Sequence, residues 1–62
     1  MNTKEILYDV IITDTETFVQ EHSKTKDGEH ITATSTDKRR ACNIARKVAR
    51  QFDLHYRKVN EM

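Results

Sequence analysis

Sixty-two residues, 34% of them charged and 35% hydrophobic, with no proline and one glycine, fit one domain (1–62) with a thin core and exclude a deep cleft walled on all sides. The only cysteine, Cys42, excludes an intrachain disulfide and a thiolate zinc site. A net charge of +1 hides a division: Met1 to Asp37 carries three Lys/Arg against eight Asp/Glu, a balance of −5, and Lys38 to Met62 carries eight against two, a balance of +6.

Such asymmetry points to a charged partner, or to two sides of one domain that face different things. Near the N-terminus, Asp9 breaks the apolar run after Ile6, Leu7 and Tyr8, so neither a signal peptide nor a membrane span is expected. A lone cysteine suits a reducing compartment, and the expected location is cytoplasmic.

Lys4 to Thr13 reads as a first strand. Ile6, Tyr8, Val10 and Ile12 form its core face by period two, and Leu7 and Ile11 leave the opposite face partly apolar. Thr17 to Glu21 is predicted as a second strand after the polar break Asp14-Thr15-Glu16. His22 to Glu29 holds the Asp27-Gly28 pair of a tight hairpin, and His30 to Thr34 returns as a third strand with Ile31 and Ala33 inward.

Ser35-Thr36-Asp37 signals a helix start, through a hydroxyl cap and an acid at the positive end of the helix dipole. Ala41, Ile44, Ala45, Val48, Ala49 and Phe52 then recur at helical spacing. Leu54 to Val59 closes the chain as a last strand. The expected fold is α+β: a small antiparallel sheet of three to four strands with one amphipathic helix on one face, in the order β-β-β-α-β.

At about 100° per residue, Arg46, Arg39, Arg50, Asn43, Lys47 and Arg40 share one arc of that helix, and no acid occurs between Lys38 and Gln51. Arg57 and Lys58 on the last strand are expected to extend the patch. Guanidinium forks match phosphates and carboxylates in two-point contacts, so the face suits an anionic partner. The bland reading is a solvated surface, or one paired with the acids of the N-terminal half. Near-neutral overall charge and strands without an exposed aromatic array weigh against sequence-specific nucleic-acid binding.

His22, His30 and His55 lack metal-ligand spacing, although His22 and His30 flank the hairpin and are placed to face one another. Cys42 with His55 is a conceivable nucleophile–base pair, but Cys42 falls at the edge of the apolar helix face, where a cysteine is usually an inert small hydrophobe. Asp14 and Glu16 belong to a turn. No cofactor, metal, small-molecule substrate or membrane is expected, and the chain reads as a non-enzyme.

The segments YDVIITDTETFVQ and ITATSTDKRRACNIARKVARQF, with the strand around Tyr56, give a layout that resembles small bacteriophage proteins made early in infection, which inhibit host polymerases, nucleases or defence systems. That resemblance implies a non-catalytic inhibitor or antitoxin-like, counter-defence role in the host cytoplasm, and it carries over no site residues. The double-stranded-RNA-binding domain also packs helices on a three-stranded sheet, but the chain lacks its first helix and its glycine-preceded, lysine-rich helix start. The expected partner is a host protein or RNA with an acidic surface. A general RNA- or DNA-binding protein is the alternative. A homo-oligomeric module is another, with Leu7 and Ile11 or an unpaired sheet edge as the surface of a homodimer.

Overall fold

The computed structural model describes residues 5–58. Strands β1 (Tyr8–Ile12), β2 (Glu16–Glu21), β3 (His30–Ser35) and β4 (His55–Tyr56) form one sheet in the order β3-β1-β2-β4, and helix α1 (Lys38–Phe52) links β3 to β4. A 3-10 turn, His22–Lys24, follows β2. The α+β architecture and element order are those expected, with a mixed sheet rather than a purely antiparallel one. β1 runs antiparallel to both β2 and β3, whereas β4 runs parallel to β2. The final strand keeps only two of its expected residues, and Val59 lies outside the described residues.

The pairing corrects the hairpin prediction. β3 pairs with β1 and not with β2, so the Asp-Gly turn does not join neighbouring strands. Gly28 still takes a positive φ of 97°, which its missing Cβ makes cheap, in a turn closed by Glu29 N–H on the Lys26 carbonyl. Between Val10 and Ile11 the β1–β3 register slips by one residue, leaving Thr32 as a bulge. Period two then fails across it. Ala33 packs towards the helix opposite Val10, while Ile31 lies opposite Ile11 on the far face and stays 38% exposed.

Two layers of burial result. Val10, Val19, Ala41, Cys42 and Ala45 form the core between sheet and helix, flanked by Tyr8, Ala33, Ile44 and Tyr56. Small alanines on α1 let its backbone approach the sheet closely. The neighbouring strand residues Asp9, Ile11 and Phe18 point the other way by strand alternation, yet they too are buried. Ile11 is therefore consumed within the chain and is not part of a dimer surface. Ile6 (49% exposed) and Leu7 (36%) precede β1 instead of entering it, so Ile6 is not a core residue.

Helix α1 begins as its chemistry requires. Asp37 is the N-cap, and its carboxylate accepts the Arg39 N–H at 3.0 Å. The preceding hydroxyl, expected as the cap, instead accepts from Asp37 N–H through Ser35 Oγ at 3.0 Å. At the other end Asp53 enters the left-handed region (φ 58°), and the N–H groups of Asp53 and Leu54 both reach the Ala49 carbonyl. Phe52, read as the last core position, is 58% exposed, because at that turn the chain leaves the helix to reach β4.

Candidate functional site: the basic helix face

Helix α1 turns Ala41, Cys42, Ala45 and Ala49 to the sheet, which fixes what the opposite side presents. Arg39, Arg40, Asn43, Arg46, Lys47 and Arg50 are all exposed, on one contiguous arc. The structure thus brings together the six helix residues that the sequence singled out. Two ion pairs occur among the described residues, His22–Asp9 and Arg57–Glu16, and neither involves a helix cation. Arg46 has a further contact, with its guanidinium 5.7 Å from the centroid of the half-buried Tyr56 ring. Lys38, Arg39, Cys42, Asn43 and Arg46 line an open groove of about 560 Å³ along one flank of the helix.

Arg57 does not extend this face. Tyr56 packs against the core, so alternation sends Arg57 to the far side of the sheet. There its guanidinium lies 4.0 Å from the centroid of Phe18 and 3.3 Å from Glu16 Oε2. It caps an otherwise open apolar surface and is committed to that role. Lys58 follows β4 as an exposed residue. The expected patch therefore loses Arg57.

The far face holds a polar cluster that the sequence reading missed. Asp9, fully buried, accepts from His22 Nδ1, Thr25 Oγ1 and Thr34 Oγ1, each at 2.8 Å. Burial pushes its carboxyl up, but the bonds from His22, Thr25 and Thr34 and the nearby His22 charge outweigh this and hold it below the ordinary carboxylate value. Gln20 Nε2 donates to Glu29 Oε1 (2.8 Å) and to Thr25 Oγ1 (3.1 Å), so residues 22–29 are strapped across the sheet. The Lys26 N–H, with Gln20, lowers the Glu29 pKa in the same way. An acid inside an apolar strand was the available signal. Thr17, also fully buried, satisfies itself on the Ile11 carbonyl at 2.7 Å.

The remaining candidates come apart. Cys42 is buried under the helix, whereas His55 alternates with Tyr56 and is exposed towards the far face, so they form no nucleophile–base pair. His22 is bound to Asp9 and does not face His30, which sits opposite Ile12. Glu16 opens β2 and pairs with Arg57, so it is not half of a carboxylate pair with Asp14. Among the described residues no group of three or more His, Cys, Asp or Glu is placed to hold a metal ion, and no helix is long and apolar enough to cross a membrane. Comparison of the chain with protein-family models, with curated proteins and with solved structures gives no match.

Proposed function

We propose that the protein is a non-catalytic docking module that covers an anionic surface of a macromolecular partner with helix α1, in an inhibitor-like role. The observation that carries this reading is the row Arg39, Arg40, Arg46, Lys47 and Arg50, exposed on one side of one helix and outside both ion pairs. Such a row has a cost. Arg46 with Arg50, and Lys47 with Arg50, are like charges at helical contact spacing, each worth about 0.2–0.5 kcal/mol against the isolated helix. A surface serving only solubility intersperses acids to relieve it. Guanidinium forks gain most from carboxylates or phosphates held in a fixed array, which is what an acidic macromolecule offers. The resemblance of the layout to small phage inhibitors favours a role in which the chain occludes a macromolecular host component rather than transforming it.

Affinity capture with the wild-type chain and with the Arg39→Glu/Arg46→Glu/Arg50→Glu variant, each with and without nuclease, tests this. The expected result is a partner retained by the wild type and lost by the variant. Equal recovery by both would place the docking surface elsewhere. All three residues are solvent-exposed, so the variant is expected to keep the wild-type circular dichroism spectrum.

A further inference from the structure

The composition of the helix face narrows the kind of partner. Protein–protein interfaces place apolar and aromatic anchors at their centre and push charge to the rim. Here the order is reversed. Around the helix at about 100° per residue, Arg39, Arg50 and Asn43 occupy the midline, with Arg46 on one flank and Lys47 and Arg40 on the other, and no apolar residue intervenes. The large exposed hydrophobic residues Ile6, Leu7, Ile31 and Phe52 all lie off this arc.

A single-stranded nucleic acid is bound largely by stacking bases on aromatic side chains. Beside the face, Tyr56 is half-buried with Arg46 over its ring, and the exposed Phe52 lies on another arc of α1. What remains is an array of charges on a rod. An α-helix with side chains is about 10–12 Å across, and the major groove of B-form DNA is about 12 Å wide. That groove has phosphates on both walls, matching cations on both flanks. The major groove of A-form RNA is too deep and narrow for such a rod. From Arg39 to Arg50 the helix runs about 16 Å, at about 1.5 Å per residue. Each strand of a duplex places one phosphate per about 3.4 Å over that length.

Charge segregation removes the objection raised by the near-neutral total. Asp9, Glu16 and Glu29 are engaged on the sheet face away from the helix, no acid occurs between Lys38 and Gln51, and Asp37 and Asp53 stand only at the two ends of α1. A polyanion approaching α1 therefore meets the cations first.

Resting on the docking reading above, we infer that the occupant of this face is a B-form DNA duplex, with α1 seated in the major groove and its cations on the phosphates. Fluorescence polarisation with four labelled probes tests it: a DNA duplex of about 20 base pairs, an RNA duplex of the same sequence, the single DNA strand, and polyglutamate. The DNA duplex is expected to bind tightest, losing on the order of 10²-fold in affinity between about 50 and 200 mM salt through counterion release. Arg46→Ala/Lys47→Ala is expected to flatten the log–log salt slope by about 2. A slope unchanged in that variant, or equal or tighter binding of the RNA duplex, the single strand or polyglutamate, overturns the DNA assignment. If such a competitor is bound, and its binding is lost in Arg39→Glu/Arg46→Glu/Arg50→Glu, the docking reading survives that failure. Binding of none of the four probes overturns the DNA assignment alone if the capture experiment still returns an Arg-dependent partner, and both readings if it does not.

Discussion

The carboxylate of Asp9, with no exposed surface, is held at 2.8 Å by Nδ1 of His22, a residue whose own side chain is 56% exposed. One end of this contact is sealed in the sheet and the other belongs to the turn after β2. Together with Thr25 and Thr34, it makes Asp9 the point at which the connecting segment, β1 and β3 are tied together. Asp9→Asn keeps the shape but replaces one acceptor oxygen with a donor and removes the charge. Urea unfolding is expected to show a loss of about 2–3 kcal/mol, a large share of the stability of so small a domain. A change under about 0.5 kcal/mol would mean that these bonds contribute little net.

The same group sets an acid limit. Its folded pKa is depressed below the ordinary 3.8 by its hydrogen-bond donors. A depressed carboxylate contributes stability that is fully present above its unfolded pKa and lost as pH falls through the folded one. Urea midpoints taken from pH 6 downward are therefore expected to fall below about pH 4, and the Asp9→Asn variant is expected to show a shallower fall over the same range. Parallel curves for the two proteins would assign the acid sensitivity to other groups.

Asp53 occupies the left-handed region (φ 58°) at the helix C-cap, where a side chain is disfavoured. Glycine meets no such penalty, so Asp53→Gly is expected to stabilise by about 0.5–1 kcal/mol. Asp53→Val, with a branched Cβ, is expected to destabilise. Thermal midpoints of the two variants moving in the same direction would refute the argument from backbone conformation.

Ala45 has no exposed surface and belongs to the core cluster that fills the gap between helix and sheet. Ala45→Leu forces three extra carbons into that gap and is expected to cost about 1–3 kcal/mol. Near-ultraviolet circular dichroism and denaturant midpoints report the change, and a neutral result would reveal unfilled space above Val10 and Val19.

The helix was legible because every level of the sequence agreed on it. Ala41, Ala45 and Ala49 repeat at one-turn spacing, Asp37 caps the start, and the cations fill the opposite arc. The sheet order was not, because it depends on pairing between distant residues. Asp27-Gly28 is compatible with a hairpin, but the preference of β3 for β1 is fixed by contacts such as Thr34 on Asp9, 25 residues apart in sequence. The Thr32 bulge broke the parity that placed Ile31 beside Ala33. Arg57 was misplaced for a simpler reason. Once Tyr56 belongs to the core, strand alternation alone sends its neighbour to the other side, whatever its charge.

Burial of Cys42 under α1 gives the molecule an internal clock of its own motions. An alkylating reagent reaches this thiol, the only one in the chain, either along the groove that Cys42 lines with Arg39, Asn43 and Arg46 or when the helix lifts from the sheet. Its labelling rate under native conditions thus reports both routes, with no dye or engineered probe. A ligand seated along that groove would slow the reaction by closing the first.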